Sequence, residues 1–234
     1  MDQLQRLLLE QYSQGDRGIS AAPSVFPKKT YTTSFVLTDP KSCSAAQKQK
    51  KKLKKCINCN EDVLYIDTNS RVHVLDCEEF AAQMKGSTAA FGEGICDYLL
   101  YNENENMKRP QIVFCELTCM AQKYVDANLG LYPAGKRVKA YTQIKKTIEN
   151  LLNGLLLTTT ILSYPSKIGL FGWREEDKTD AADEAVENME MFATTPSTES
   201  PLLYNTSLIL GHNFTFMQIK YPAHFEWEKE YKNL

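Results

Sequence analysis

The chain has 234 residues, of which 43% are hydrophobic and 24% charged, and its formal net charge is −2. This composition is typical of a globular protein with its own core, and the charge balance excludes a global basic field that would attract nucleic acid. The longest apolar candidate, 151–162, contains Asn153, Gly154 and three threonines. It falls short of the roughly 18 apolar residues of a membrane span, so no such span is expected.

The N-terminal segment predicts a short amphipathic helix and no export signal. Leu4, Leu7 and Leu8 have helical spacing, and the segment lacks a basic start and a small-residue cleavage site. Without an export signal, the seven cysteines are expected to be free thiols in the cytoplasm.

The pair Cys56 and Cys59 forms a CxxC, which is a weak zinc signal on its own. A zinc ion would need two further ligands, for which Cys43, Cys77 and His73 are available. The spacing is not that of a zinc ribbon, so we favour unligated thiols over a zinc site.

Charge divides the chain into four parts. Residues 41–55 contain seven lysines and no acid, which indicates either a solvated charge run or a patch that contacts phosphates. We therefore treat 1–60 as an N-terminal extension and 61–173 as the core. Residues 174–200 carry nine acids and predict a flexible insertion, after which 201–234 completes the domain with strands and an aromatic tail.

Apolar runs and periodicity predict a mixed α/β sheet flanked by helices. Strands are expected at 62–67, 71–76, 95–101, 111–118, 167–173, 207–210 and 214–221, and helices at 78–85 and 136–157. The polar residues 68–70 predict a turn, so the first two strands are expected to form a hairpin. The apolar face of the long helix is predicted to consist of Val138, Tyr141, Ile144, Ile148, Leu151, Leu152 and Leu155.

Two acidic residues, Asp97 and Glu116, stand inside otherwise apolar strand segments. A carboxylate in such a place costs folding free energy unless it is paired or binds a cation. If the two strands are neighbours, both carboxylates reach one point, where oxygen ligands suit Mg²⁺ or Mn²⁺. The alternative is that each acid faces solvent on a half-exposed strand.

This pattern resembles the PD-(D/E)XK superfamily of restriction-endonuclease-like nucleases over residues 78–173. Asp97 matches the family's aspartate, Glu116 its glutamate and Gln143 the glutamine on the following helix, while Glu93 matches an acidic residue that some members add upstream. The resemblance implies a core of helix, three strands, helix and strand. It also implies that Asp97 and Glu116 hold a divalent cation for phosphodiester cleavage.

The chain departs from the family at one position, where Thr118 replaces the lysine of the motif. A threonine cannot offset negative charge that develops at the phosphate. Lys123, Lys136 and Lys139 are possible substitutes. We favour Lys139 because it lies one helical turn before Gln143. The other interpretation is a site that no longer cleaves.

Two functions are therefore expected. The first is a metal-dependent nuclease acting on DNA or RNA, which by analogy belongs to a multi-protein system such as antiviral defence. The second is an inactive nuclease-like module that binds nucleic acid or a larger protein partner through an exposed apolar patch, for which Phe225 and Trp227 are candidates. The long helix also carries five basic residues, for which two interpretations are open. They contact backbone phosphates, or they are the ordinary charged face of a helix whose other face is apolar. These residues are Lys136, Arg137, Lys139, Lys145 and Lys146.

Overall fold

A computed structural model describes the chain in nine segments. They are residues 1–13, 26–38, 63–83, 94–102, 109–119, 125, 135–174, 202–204 and 212–230. The helices of these segments are α1 (Gln3–Ser13), α2 (Cys77–Gln83), α3 (Gly135–Leu151) and α4 (Leu155–Leu162). None of the helices described is long and apolar enough to cross a membrane.

The described strands form two sheets. They are β1 (Lys28–Tyr31), β2 (Phe35–Leu37), β3 (Leu64–Asp67), β4 (Val72–Asp76), β5 (Tyr98–Tyr101), β6 (Gln111–Cys119), β7 (Ser166–Arg174), β8 (Leu202–Tyr204), β9 (Thr215–Lys220) and β10 (His224–Glu226). The large sheet has seven strands in the order β1-β4-β5-β6-β7-β9-β8, and the small sheet has three in the order β10-β3-β2.

The large sheet is mixed. Strands β4, β5 and β6 pair antiparallel in succession, whereas β7 runs parallel to β6 and β9 runs parallel to β7. Helix α3 lies in the connection from β6 to β7, as a parallel pair requires a crossover. The mixed α/β class expected from the sequence is thereby confirmed.

Both faces of the large sheet are covered. Phe114 of β6 packs with Leu8 of α1 and Ile144 of α3 on what we call the helix face. Leu117 of the same strand packs with Ile66 of β3 on the opposite side, which we call the small-sheet face. Since side chains alternate along a strand, each position of β6 can be assigned to one of these two faces.

The predicted hairpin of residues 62–67 with 71–76 is wrong. Strand β3 pairs with β2 and β10 in the small sheet, whereas β4 lies between β1 and β5 in the large sheet. The turn between them forms as expected, with Thr68 Oγ1 accepting a hydrogen bond from the Ser70 N–H at 3.0 Å. Burial alternates along β3 and is continuous along β4 as far as Leu75, so one strand covers a single face and the other is sandwiched.

The predicted single helix over 136–157 is also wrong, because α3 ends at Leu151 and α4 starts at Leu155. Side chains of α1 contact the end of α3, where the Tyr12 hydroxyl donates to the Asn150 carbonyl at 3.3 Å. Gly154 follows with extended backbone, and a Cβ there would lie 1.9 Å from the Gln11 side-chain oxygen. The close approach of α1 therefore accompanies the break.

Two residues of the predicted apolar helix face do not face the core. Val138 is 50% exposed and Leu155 is 82% exposed, whereas Ile144, Ile148 and Leu151 are buried as expected. Leu155 belongs to α4, which runs in a new direction, so the helical period counted from α3 does not apply to it.

Several other expectations concern residues outside the described segments. These include the lysine-rich stretch 41–55, the acidic stretch 175–200 and the strand at 207–210. Residues of the first 60 supply α1, β1 and β2, and residues after 200 supply β8, β9 and β10. Both chain ends thus contribute to the two sheets.

Candidate functional site

Asp97 and Glu116 lie on neighbouring strands. The predicted antiparallel pairing of their strands is confirmed, with Tyr98 opposite Cys115. Continuing this register by one residue places Asp97 opposite Glu116. Asp97 lies two residues before Leu99, and Glu116 two residues after Phe114, both of which pack on the helix face. Glu116 therefore lies on the helix face. Asp97 precedes the first residue of β5, and the alternation does not extend to it, because Cys96 packs on the helix face and Tyr98 on the small-sheet face.

The Asp97 carboxylate is tied to the backbone of β6. Its Oδ2 accepts a hydrogen bond from the Leu117 N–H at 2.7 Å. Asp97 immediately precedes Tyr98, the first residue of β5. The Asp97 carbonyl accepts another from the Cys77 N–H at 2.9 Å, at the start of α2. Asp97 is half-buried, so these bonds hold the carboxylate at the end of the strand pairing.

Glu116 is more deeply placed, with 3% of its surface exposed. The parallel register sets Phe171 of β7 beside it and Gln218 of β9 beyond Phe171. Transfer of a carboxylate into such surroundings costs free energy unless its charge is offset.

Helix α3 fixes the segment that leads to Asp97. The Gln143 side-chain amide donates to the Ile95 carbonyl at 3.2 Å, and Thr147, one turn later, accepts a hydrogen bond from the Cys96 N–H at 2.9 Å. Gly94 has φ +95°, and a Cβ there would lie 3.2 Å from Gln143 Cγ. The glycine therefore allows the backbone both its conformation and its approach to the helix.

Gln143 thus contacts the backbone before Asp97 through its amide nitrogen. Its Oε1 is buried and accepts no hydrogen bond from the residues that the structure describes. The amide oxygen remains available as an acceptor or as an oxygen ligand beside the carboxylate pair. The glutamine singled out from the sequence is therefore a neighbour of Asp97 in the fold.

The lysine substitutes predicted from the sequence differ in their surroundings. Thr118 is buried at the end of β6. Lys139 is exposed on α3 and Lys136 is half-buried on the same helix. Lys123 and Glu93 lie outside the described segments. Of the predicted set, the structure places Asp97 and Glu116 at one end of the paired strands β5 and β6, and Gln143 against the backbone at Ile95.

Two residues near this site were not predicted from the sequence. Thr118 is paired with Trp173 of β7, and Trp173 is paired with Lys220 of β9, so the three form one row across parallel strands. Lys220 Nζ lies 4.8 Å from the centroid of the Trp173 ring, a cation–π contact. The only sequence signal was that both residues stand at the ends of predicted strands.

The donor atoms of the site suit a hard divalent cation. Asp97 and Glu116 carry carboxylate oxygens at the same end of paired strands, and Gln143 of α3 has a buried carbonyl oxygen. These are the donor types that Mg²⁺ takes in proteins. Among the residues described, no group of three or more His, Cys, Asp or Glu side chains forms a complete metal site. Water molecules and phosphate oxygens commonly complete the coordination of Mg²⁺, so two carboxylates are compatible with it.

The described cysteines have the properties of structural thiols. Cys77, Cys96 and Cys115 are free and buried. A hydrogen bond with Cys96, and then burial, raises the pKa of the Cys77 thiol, and burial raises the pKa of the Cys115 thiol. Protonated thiols are poor nucleophiles and poor zinc ligands. Cys56 and Cys59 lie outside the described segments.

Other side chains considered in the sequence serve packing. His73 Nδ1 forms a hydrogen bond with Thr30 Oγ1 at 2.8 Å, and its ring contacts Tyr101. Phe225 and Trp227 are buried in the small sheet with ring centroids 6.0 Å apart. The two C-terminal aromatic residues are therefore not an exposed patch for a partner, because their own sheet covers them.

Comparison of the chain with models of known protein families, with curated proteins and with solved structures finds no match in any of the three. The function must accordingly be argued from the geometry of the site.

Proposed function

We propose that the protein is a metal-dependent nuclease-like enzyme that cleaves phosphodiester bonds of DNA or RNA. The observation that carries this proposal is the antiparallel pairing of β5 with β6. It brings Asp97, just before β5, and the buried Glu116 of β6 to the same end of two adjacent strands, where Asp97 accepts a hydrogen bond from the Leu117 N–H. The order α2, β5, β6, α3 and then β7 parallel to β6 supports part of the resemblance to the restriction-endonuclease-like core. It departs from the implied order in one respect: among the described residues two strands, rather than three, lie between α2 and α3, because β4 precedes α2.

In this proposal the two carboxylates hold Mg²⁺ or Mn²⁺ at the helix face. A bound divalent cation polarises a phosphate and lowers the pKa of its water ligand. Leu117 N–H orients Asp97, and Gln143 and Thr147 hold the backbone before Asp97 against α3. Phe171 and Phe114 lie around Glu116 and limit the access of bulk water, which strengthens its interaction with a cation.

The missing lysine of the motif is supplied from α3 in this proposal. Lys139 is our first choice, with Lys136 as the alternative because the latter is closer to the buried side of the helix. We expect Lys139→Ala to abolish cleavage without loss of the fold, and Thr118→Lys to raise it. If Lys139→Ala and Lys136→Ala, alone and combined, leave cleavage unchanged, the cation does not come from α3.

The decisive experiment is a cleavage assay on labelled DNA and RNA with Mg²⁺ or Mn²⁺. We expect Glu116→Ala to lower the cleavage rate on the order of 100-fold or more, since it removes a group that stabilises the transition state. Glu149→Ala is the matched control, because Glu149 is an exposed carboxylate on α3 that pairs with Lys145 at 3.8 Å. Cleavage that survives Glu116→Ala would contradict the proposal.

The alternative function is a nuclease-like module that binds nucleic acid or a larger protein without cutting. Thr118 in place of the motif lysine is the observation that favours it. Absence of cleavage by the unmodified protein in either metal, together with retained binding of nucleic acid, would select this alternative. Membership of a multi-protein defence system applies to either version and rests on analogy alone.

A further inference from the structure

The parallel strands of the large sheet end side by side near the proposed metal site. Thr118 of β6, Trp173 of β7 and Lys220 of β9 are register partners on the helix face, one row beyond Glu116. In sheets with parallel strands, ligands commonly bind beyond the carboxyl ends of the strands. Thr118 and Trp173 of this row are buried and Lys220 is half-buried, so Lys220 is the member of the row that a ligand at the strand ends can reach.

Lys220 is directed along this row. Its Nζ lies 4.8 Å from the centroid of the Trp173 ring. This contact ties the ammonium of β9 to the side chain of the neighbouring strand β7, which is itself paired with β6 at Thr118. The indole face attracts the cation and reduces its rotational freedom, which lowers the entropy cost of binding an anion.

Trp173 provides a rigid support for this lysine. It is 3% exposed, and the Tyr221 N–H donates to the Trp173 carbonyl at 2.8 Å. The indole Nε1 is buried and has no hydrogen-bond partner within the part of the chain that the structure describes. The tryptophan is therefore held by its backbone and by packing while its ring contacts the ammonium.

We infer that Lys220, supported by Trp173, binds a backbone phosphate of the nucleic-acid substrate next to the phosphate that is attacked. The inference rests on the proposed function, because that function places a phosphodiester at Glu116. Its chemistry is that of a positioning contact: an ammonium neutralises a phosphate and fixes the strand, without sequence preference. Lys220 acts on the neighbouring phosphate, so its role is separate from that of the motif lysine, which the proposed function assigns to α3.

The test measures binding without cleavage. A short fluorescein-labelled single-stranded oligonucleotide is titrated in EDTA, with Lys220→Met as the variant, because methionine keeps most of the length of the side chain and removes the charge. We expect roughly tenfold weaker binding, the loss of one charge-assisted contact. The slope of log K against log salt should fall by about 0.7, as expected for one phosphate contact to a single strand.

Two further variants define the result. Lys220→Arg should restore most of the affinity, because arginine keeps the charge and also stacks on indole. Lys229→Met is the matched control: this lysine is exposed in the segment after β10, on the small sheet. If Lys229→Met lowers the affinity for the oligonucleotide as much as Lys220→Met does, the loss of affinity reflects net charge alone. That result would overturn the inference.

Tryptophan fluorescence gives a second readout that does not depend on affinity alone. The chain has two tryptophans, so Trp227→Phe leaves Trp173 as the single reporter. Because the ammonium contacts its ring, Trp173 emission should change when an oligonucleotide binds, and this change should be lost in the Lys220→Met variant. An unchanged emission at saturating oligonucleotide would overturn the inference.

The outcomes separate this inference from the proposed function. If the unmodified protein binds but never cleaves, and Lys220→Met weakens binding, the phosphate contact stands while the nuclease activity fails. If Lys220→Met binds as well as the unmodified protein, the inference fails even where Glu116-dependent cleavage is observed. Absence of any binding by the unmodified protein also overturns it.

Discussion

The two faces of β6 differ in what they bury. On the small-sheet face Val113, Cys115 and Leu117 form an apolar row against the small sheet. On the helix face Phe114 is followed by Glu116 and then by Thr118, all three buried. Apolar side chains alone thus cover one side of this strand, whereas the other side buries a carboxylate at its carboxyl end.

This difference indicates which positions serve folding and which serve the site. Apolar burial stabilises the fold in proportion to area, but a buried carboxylate costs free energy that other groups must offset. The small-sheet face shows that this strand can be covered by apolar packing. Under the proposed function Glu116 is kept at this buried position for chemistry, a trade-off common at functional sites.

The largest expected effect concerns the apolar face. Leu117 is buried above Gly172, where a Cβ would lie 2.7 Å from the Leu117 side chain. Leu117→Ala should leave a cavity that Gly172 cannot fill and lower the free energy of unfolding by about 3–5 kcal/mol. Urea denaturation measures this loss. Leu156→Ala is the control, since Leu156 is exposed on α4 and its truncation should cost little.

A second buried carboxylate, Asp2, provides a structural contrast to Glu116. Burial favours a higher pKa for Asp2, but the hydrogen bond and charge of Lys28, with the Gln5 N–H and the Tyr101 hydroxyl, hold this pKa below its usual value. Asp2→Asn should therefore lower the free energy of unfolding by about 1.5–3 kcal/mol at neutral pH.

The pH dependence of this effect has a definite sign. A carboxyl whose pKa is lowered by folding contributes stability above its unfolded pKa and loses it as the pH falls towards the folded pKa. The difference between the wild-type protein and Asp2→Asn should be constant above pH of about 4 and shrink below it. A difference that grows in acid, or that Glu149→Gln reproduces, would contradict this assignment.

A smaller effect is expected at the segment that positions Asp97. Gly94→Ala forces an L side chain to φ +95° and places a Cβ 3.2 Å from Gln143 Cγ. We expect a loss of about 1–2 kcal/mol and weaker metal-dependent cleavage. Adding Gln143→Ala should remove the contact but not the backbone strain. Full recovery in the double variant would show that the φ angle is unimportant.

The smallest effect on stability is expected for Glu116→Gln. This change removes the charge and keeps the shape, so the free energy of unfolding should change by less than about 1 kcal/mol, with the sign towards greater stability. Cleavage should nevertheless be lost. A large destabilisation in metal-free buffer would show that the Glu116 charge serves the fold, and would remove the contrast between the two faces of β6.

The sequence by itself determined the local part of the candidate site. Two apolar runs separated by a short polar stretch predicted β5 and β6 as antiparallel neighbours, and the structure confirms this pairing. Such inferences succeed because pairing across a short connection follows from strand period and turn chemistry. The convergence of the Asp97 and Glu116 side chains stays a prediction. Gln143 was singled out by the family resemblance, and the structure places it on α3 against the Ile95 carbonyl.

Only the tertiary structure decided the rest. Residues 62–67 and 71–76 have hairpin signals, yet β3 and β4 separate because β3 covers one face of the large sheet while β4 is enclosed within it. Likewise, nothing local aligns Thr118, Trp173 and Lys220. Their row depends on the register of parallel strands joined by long connections, and that register is set by packing across the whole sheet rather than by neighbours in the chain.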